Sequence, residues 1–319
     1  MRNDHHIEIE RIVEREFGGR VDEIERMTSG ICNEVYRVRF GDVECIVRLK
    51  REARYMYGSH NHITIFKAAR INVPEILAED YSHTHSSYAY QVMSAIPGRD
   101  IADVIATLSD EELRRIAAHI SHVFDALRDV PNNGKFGVLW GDGDDLVESW
   151  SAQIAREIEV ARARGRRTGV LDERLDHLLE WINQEFKPYF DSVRPVTYYG
   201  DICAKNVMID DGKFSGIVDL DALAQGDPLE AIGRIKASWY GTRHGRVYTD
   251  AVMDAQRLDA DQRSIVTMYA LLNRIFWTME NGIQFNQNTS AQVDRPRESQ
   301  DKQIVESLFI ELHLFLDGE

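Results

Sequence analysis

The chain has 319 residues, of which 43% are hydrophobic, and a formal net charge of −15. No apolar run approaches the roughly 20 residues of a membrane-spanning helix, and the acidic excess argues against a nucleic acid partner, which needs clustered Lys and Arg. The three cysteines are too few and too scattered for a disulfide framework or a zinc site. The length allows two domains.

The chain starts with a predicted amphipathic helix, whose apolar stripe contains Ile9, Ile12, Val13 and Phe17. This segment lacks the basic and apolar regions of a signal peptide. We therefore expect the protein to remain in the cytoplasm.

Two predicted strands flank the turn at Gly41 and Asp42. The second strand alternates between an apolar face and a mixed face, which contain Val43, Cys45, Val47 and Leu49, and Glu44, Ile46, Arg48 and Lys50, respectively. Ile46 and Arg48 therefore point the same way. Taken alone, such charges are ordinary solvated strand residues.

From Ser109 onward the pattern is mainly helical. Ser109 and Glu112 predict a capping box. Further helices are predicted from 149 to about 164, from 173 to 186, from Pro228, near 260–281 and near 302–316. Residues 284–301 are polar and predict a long loop that could border a substrate pocket.

The most informative stretch is residues 199–228, where polar side chains surround one short hairpin. An apolar strand at 207–209 and a returning strand at 214–218 flank turn residues that include Gly212. Folding at Gly212 brings Asn206, just before the hairpin, next to Asp219, just after it. Asp201 lies on the loop that leads into the same end of the hairpin, and Asp221 follows Asp219 by two residues.

Such a cluster of oxygens calls for a cation. Two carboxylates about 4 Å apart repel by about 1 kcal/mol in water and about 4 kcal/mol at an effective dielectric of about 20. Asp and Asn oxygens suit Mg²⁺, which takes one or two carboxylates together with substrate phosphates. Any one of these acids alone could instead cap a helix. We assign that role to Asp227, with Pro228 as first helical residue and Glu230 completing a capping box.

An Asp-x4-Asn loop, a hairpin and an Asp-x-Asp ahead of Gly-Asp-Pro resemble the aminoglycoside phosphotransferase family. The resemblance implies an α+β, two-lobed protein-kinase-like fold, with an antiparallel N-lobe sheet in residues 1–95 and a mainly helical C-lobe in residues 96–319. It implies Asp201 as catalytic base and Asn206 and Asp219 as Mg²⁺ ligands, with Asp221 as a secondary ligand. The phosphate donor would be ATP or GTP.

The resemblance extends to the N-terminal part of the chain. It implies Arg48 as the phosphate-binding cation, with Lys50 as runner-up, and Ile46 against the base. Ser29 would belong to a loop over the phosphates. The backbone at Ser94 and Ile96 would hydrogen-bond the base, and in the strand before them Gln91 and Met93 are expected to face opposite ways.

Two features depart from the family pattern. Tyr199 stands where the family usually has His. The family also has a Glu on the helix after the cationic strand, which pairs with the Lys or Arg, but no acid occurs between Tyr55 and Pro74. His60 lies roughly where that Glu would be sought, so the acid that pairs with Arg48 stays open.

The reaction expected from the resemblance is transfer of a nucleotide γ-phosphate to a hydroxyl of a small molecule. An aminoglycoside-like or other hydroxylated natural product is the first hypothesis, with a role in antibiotic resistance and with Glu280 as one candidate contact. Macrolides, amino alcohols and sugars stay open as acceptors. A non-catalytic, nucleotide-binding regulatory module is the alternative from a different class. Nothing in the sequence indicates the oligomeric state.

Overall fold

The computed structural model describes residues 4–28, 30, 33–140, 145–203 and 205–316. Its first layer is a five-stranded antiparallel sheet. In spatial order the strands are β1 (Glu23–Met27), β2 (Glu34–Phe40), β3 (Val43–Lys50), β5 (Ala89–Ser94) and β4 (Ile76–Asp80). Helix α1 (Asp4–Phe17) packs on one face of this sheet through Ile9, Ile12 and Val13.

The alternation predicted for β3 is confirmed. Cys45, Val47 and Leu49 are fully buried beneath α1, whereas Ile46 and Arg48 lie on the other face of the sheet. A short 3₁₀ turn (Ala53–Met56) and helix α2 (Tyr57–Ala68) connect β3 to β4. Helix α2 packs towards the second half of the chain.

The rest of the described chain is mainly helical. Its helices are α3 (Ile101–Val104), α4 (Asp110–Arg128), α5 (Trp150–Thr168), α6 (Glu173–Glu185), α7 (Lys187–Ser192), α8 (Pro228–Ser238), α9 (Arg243–Ala255), α10 (Ala260–Met279) and α11 (Arg295–Leu316). No helix in the described part of the chain is both long and apolar enough to cross a membrane.

Two small sheets carry the loops between these helices. One contains β10 (Lys213–Ile217), β9 (Val207–Asp210) and β6 (Arg99–Asp100), and the other contains β7 (Gly137–Val138), β11 (Leu223–Gly226) and β8 (Val196–Tyr199). Gly98 precedes β6 with a φ of +101°, and a Cβ there would lie 2.2 Å from the carbonyl oxygen of Ile209. Only glycine allows the connection between the halves to approach the hairpin so closely.

The predicted fold class is confirmed, with three local corrections. Helix α9 was not predicted. Helix α11 begins at Arg295, so the predicted loop 284–301 is too long. The capping box at Ser109 is confirmed, and Asp227 caps α8, but Glu230 accepts hydrogen bonds from Arg234 and Asn273 and does not complete a second box. The domain boundary at residues 95 and 96 stays a prediction.

Candidate active site

The side chains expected at the catalytic centre lie at one end of the β9–β10 hairpin. Strands β9 and β10 pair antiparallel, with Val207 opposite Ile217. The N–H of Val218 donates to the carbonyl of Asn206 at 3.0 Å. Asn206, just before β9, and Asp219, two residues after β10, therefore lie side by side.

Asn206 also orients the carboxylate of Asp201. Its Nδ2 donates to Oδ2 of Asp201 at 2.8 Å and to the Asp201 carbonyl at 3.1 Å, and its backbone N–H donates to Oδ2 of Asp100 at 2.9 Å. Asn206 has a φ of +75°, which is uncommon outside glycine and is stabilised here by these contacts. Because Nδ2 faces Asp201, Oδ1 lies on the opposite side of the amide and is the atom available as a metal ligand.

Cys203 contacts the other oxygen of the Asp201 carboxylate. Its Sγ donates to Oδ1 of Asp201 at 3.5 Å. Burial raises the pKa of the Cys203 thiol to about 12, so the group stays a neutral donor. The Asp201 carboxylate is thus held from two sides.

Tyr199 takes a defined role at the position where the chain departs from the family pattern. The tyrosine is fully buried, and its ring packs edge-on against Phe66 with centroids 5.6 Å apart. Its hydroxyl lies 2.9 Å from the carbonyl oxygen of Val218 and 2.8 Å from that of Asp219. Asp219 has a φ of +58°, and the hydroxyl of Tyr199 stabilises this left-handed backbone.

The charge around Asp219 favours a bound cation. Burial raises the pKa of Asp219 to about 6; Arg48 opposes this rise, and the carboxylates of Asp221 and Asp201 add to it. Its side chain remains 34% exposed towards the cleft. One carboxylate and one amide oxygen, completed by phosphate oxygens and water, fit Mg²⁺. Within the described residues, no group of three or more His, Cys, Asp or Glu could hold a metal ion alone.

Arg48 lies across the cleft from the hairpin and is 4% exposed. Its Nη1 donates to Oγ of Ser59 at 2.8 Å and to Oε1 of Gln91 at 3.0 Å. Its Nη2 donates to Oδ1 of Asp219 at 3.2 Å and also to Oδ2 of Asp221. The guanidinium is therefore held by groups from β5, from α2 and from the segment after β10.

The histidines of α2 do not supply the partner of Arg48. Nδ1 of His60 lies 2.6 Å from Oε1 of Glu79 near the surface. Nδ1 of His62 lies 2.9 Å from the carbonyl oxygen of Leu220, and burial lowers the pKa of this imidazole. The carboxylates that accept hydrogen bonds from Arg48 are instead those of Asp219 and Asp221, which follow β10.

A cleft of about 520 Å³ lies between the five-stranded sheet and the hairpin, a volume in the range of small-molecule sites. The predicted site residues that line it are Ile46, Arg48, Ser94, Ile96, Asn206 and Asp219. Lys50, the runner-up cation, is not among the described residues of its lining. Ser29 lies outside the described residues, although Thr28 and Gly30 on either side of it line the cleft.

The connection after β5 offers only part of what was expected. The N–H of Ser94 donates to the carbonyl of Glu75 at 2.8 Å, and its hydroxyl accepts from the N–H of Glu75 at 2.9 Å. Because Glu75 engages both of these groups, the carbonyl oxygen of Ser94 is the atom that could hydrogen-bond a nucleotide base. The expectation that Gln91 and Met93 face opposite ways is wrong, because Gln91 hydrogen-bonds Arg48 and Met93 lines the cleft.

Charged side chains of α5 and α8 interact with one another and with Asp201. Burial disfavours the charged form of Arg234, but the carboxylates of Glu230, Asp201 and Glu157 outweigh this effect and raise its pKa. Arg234 pairs with Glu230 at 2.6 Å. Glu157 accepts from Gln153 at 2.7 Å and makes no ion pair within 4 Å among the described residues, and burial raises its pKa.

Hydrogen bonds also join the predicted long loop to residues that line the cleft. Nδ2 of Asn286 donates to the carbonyls of Gly30 at 3.0 Å and Asn33 at 3.2 Å. Nδ2 of Asn288 donates to the carbonyl of Gly30 and, at 3.4 Å, to that of Met27. Residues 286–288 therefore contact the chain between β1 and β2 at Gly30 and Asn33.

Most of the residues that the sequence did not identify share one property, which is that their partners lie far away in the chain. They are Ser59, Gln91, Asp100, Asn286 and Asn288. Glu157 was not identified either, although its hydrogen-bond partner Gln153 is only four residues away. For Gln91 the period of two along β5 was the available signal, since Gln91 and Met93 are two residues apart.

Comparison with known proteins places this geometry in context. The model of the phosphotransferase enzyme family matches residues 23–264. The complex of APH(2")-IIia with GDP and kanamycin has a TM-score of 0.69 at 15% identity, covering 98% of this chain and 99% of that chain. A thermostable mutant of aminoglycoside phosphotransferase APH(4)-Ia with AMP-PNP and hygromycin B gives 0.69 at 18% identity, with coverages of 94% and 98%.

The gentamicin complex of APH(2")-IIa is also similar, with a TM-score of 0.65, 13% identity and coverages of 98% and 96%. At such identities the likeness establishes the fold. No curated protein matches the sequence.

Proposed function

This chain belongs to the phosphotransferase enzyme family, and from that premise we propose that it transfers the γ-phosphate of a Mg²⁺-bound purine nucleotide to a hydroxyl of a small molecule. One observation carries the proposal: Asp201, Asn206 and Asp219 converge at the end of the hairpin, beside a cleft that Arg48 lines from the opposite side. Phosphoryl transfer depends mainly on positioning and charge neutralisation, and this arrangement provides groups for both.

Asp201 acts in this proposal as the base that orients the acceptor hydroxyl and takes its proton. The bonds from Asn206 and Cys203 fix the direction of its carboxylate. Asn206 and Asp219 would hold Mg²⁺, which supplies neutralisation of the phosphate charge when it is bound. Arg48 binds the phosphates from the opposite side.

The nucleotide base would lie against Ile46 and Ile96, with the carbonyl of Ser94 as a hydrogen-bond acceptor. Ser29, between Thr28 and Gly30, would contribute to the loop over the phosphates. Either ATP or GTP serves as donor in this proposal, because the similar structures are described with GDP and with AMP-PNP.

We take an aminoglycoside-like, hydroxyl- and amine-bearing natural product as the acceptor, with antibiotic resistance as the corresponding role. The similar structures are described as complexes with gentamicin, kanamycin and hygromycin B. In this chain Asp201, Glu157 and Glu280 all interact electrostatically with Arg234, and this group of charges beside the proposed base supports a polar acceptor rather than a largely apolar macrolide. Nucleic acid and membranes play no part in the proposal.

Incubation with Mg²⁺ and either ATP or GTP, over a panel of aminoglycosides, amino alcohols, sugars and macrolides, tests the function. Phosphorylated product is measured by mass spectrometry. We expect Asp201→Asn to lower turnover by about 10²- to 10⁴-fold, the usual contribution of a general base, and to leave nucleotide affinity within about twofold. Asp210→Asn, at the exposed turn of the same hairpin, is the matched control.

Two outcomes would contradict the proposal. Nucleotide binding without phosphorylation of any acceptor would favour a non-catalytic regulatory module. Normal turnover by Asp201→Asn would remove that residue from the assigned role.

A further inference from the structure

We propose that Asp221 is the positioning residue for Arg48 and takes the place of the carboxylate that other family members carry on the helix after the cationic strand. This inference rests on the proposed function, because it assigns a role within the same site. It separates Asp221 from the Mg²⁺ ligands Asn206 and Asp219.

The need for such a residue follows from the burial of Arg48. A guanidinium with 4% exposure requires a charged partner, since an unpaired buried charge is strongly destabilising. Helix α2, which covers this region, contains no acid. The side chain of Asp221 is 11% exposed, and its Oδ2 accepts from Nη2 of Arg48.

The second oxygen of Asp221 is also occupied. Its Oδ1 accepts from the backbone N–H of Ser59 at 2.9 Å and from the Ser59 hydroxyl. Ser59 is in the first turn of α2, where backbone N–H groups lack helical acceptors and favour a negative charge. The helix therefore binds the carboxylate of Asp221 through its N-terminal turn, and Asp221 in turn binds the guanidinium.

Gly58 makes this approach possible. A Cβ at Gly58 would lie 3.0 Å from Cα and 3.1 Å from the carbonyl oxygen of Asp221. On the next turn of α2, His62 contacts the carbonyl of Leu220 at 2.9 Å. Helix α2 is thus joined to the 3₁₀ turn (Leu220–Ala222) at two points, and both fix the position of Asp221.

Asp219 and Asp221 differ in their exposure and in their hydrogen bonds, and both differences support separate roles. Asp219 has one contact with Arg48, at 3.2 Å, and its side chain is 34% exposed. Asp221 has both oxygens engaged, one by the guanidinium of Arg48 and the other by the backbone N–H and hydroxyl of Ser59. The exposed carboxylate is therefore assigned to the metal, and the enclosed one to the guanidinium.

A double-mutant cycle between Asp221→Asn and Arg48→Met tests the assignment. A positioning residue acts only through its partner, so each single variant should lower kcat/KM for the nucleotide by about 10²-fold. The double variant should lose little more than either one. The Mg²⁺ concentration for half-maximal rate should stay within about twofold in Asp221→Asn and should rise at least tenfold in Asp219→Asn.

A carboxylate placed on α2 should restore part of the activity that Asp221→Asn loses. Ser59→Asp in the Asp221→Asn background places a carboxylate on α2 at the residue that already contacts Arg48 at 2.8 Å. We expect it to recover at least tenfold of the lost kcat/KM. If Asp221→Asn does not fold, Ser59→Ala removes the hydroxyl between the two groups and should weaken kcat/KM by a few fold, again with the Mg²⁺ requirement unchanged.

Additive effects in the cycle, or a Mg²⁺ requirement that rises in Asp221→Asn as much as in Asp219→Asn, would overturn the proposal. The same cycle can be read from binding of a nucleoside diphosphate without Mg²⁺. This second readout needs no turnover. A chain that phosphorylates no acceptor but shows the coupling would contradict the proposed function and support the role of Asp221, and additive binding effects would contradict that role alone.

Discussion

Replacement of Tyr199 by Phe removes a single hydroxyl and leaves the remainder of a fully buried side chain in place. That hydroxyl contacts the carbonyl oxygens of Val218 at 2.9 Å and Asp219 at 2.8 Å. The variant therefore leaves two carbonyls without this donor and keeps the packing against Phe66. We expect losses of both stability and Mg²⁺-dependent turnover.

The magnitude follows from the two groups involved. A buried acceptor that loses its partner costs about 1–3 kcal/mol, so the free energy of unfolding should fall by that amount. A residue such as Asp219, with a φ of +58°, carries strain of about 1–3 kcal/mol and keeps this conformation only when its surroundings hold it. If about 1.4 kcal/mol of the loss acts on Asp219, the Mg²⁺ concentration for half-maximal rate rises about tenfold.

Urea unfolding and Mg²⁺ titration of the initial rate measure the two effects. Tyr248→Phe is the control, because it removes the hydroxyl of another fully buried tyrosine, which lies in α9. This variant should leave the Mg²⁺ requirement unchanged. Tyr199→His restores a donor and should recover part of the Mg²⁺ affinity. A Tyr199→Phe variant with wild-type unfolding energy and wild-type Mg²⁺ requirement would refute the idea that this hydroxyl holds Asp219.

Two further predictions concern Glu157, near the proposed acceptor site, and Asn286, which contacts the cleft lining at Gly30. Glu157→Gln neutralises a half-buried carboxylate that forms no ion pair with the described residues, and it should raise KM about tenfold for amine-bearing acceptors, but less than twofold for amine-free sugars, in steady-state kinetics. Asn286→Ala removes the donor to the carbonyls of Gly30 and Asn33 and should raise the nucleotide KM about fivefold. Gln287→Ala, the exposed neighbour, should leave it unchanged; equal effects of Asn286→Ala and Gln287→Ala would contradict the assigned contact.

The hairpin residues were predictable because the relation among them is local. Asn206 and Asp219 flank two short strands joined by a tight turn, so the pairing of the strands alone brings them together. The alternation along β3 likewise places Ile46 and Arg48 on one face without knowledge of the fold. Helix α9 was missed because its buried residues occupy only about two turns, and a glycine, Gly245, lies in its first turn.

The partner of Arg48 could not be predicted in this way. Asp221 is 173 residues away in the chain, whereas the family resemblance pointed to an acid on the neighbouring helix. In addition, the two carboxylates of the Asp-x-Asp pattern are equivalent in the sequence. Only their burial and their hydrogen bonds distinguish Asp219 from Asp221.

The position of this acid also changes how the two sides of the cleft depend on each other. When the carboxylate lies on the helix after the cationic strand, the guanidinium or ammonium group can be oriented within the N-terminal layer alone. In this chain the carboxylates that hold Arg48 come from the segment after β10, on the opposite side of the cleft. Opening the cleft therefore separates Arg48 from Asp221, and breaking a buried ion pair in this way is costly. We therefore expect Arg48, the proposed phosphate-binding cation, to be correctly oriented only while the two sides of the cleft are in contact.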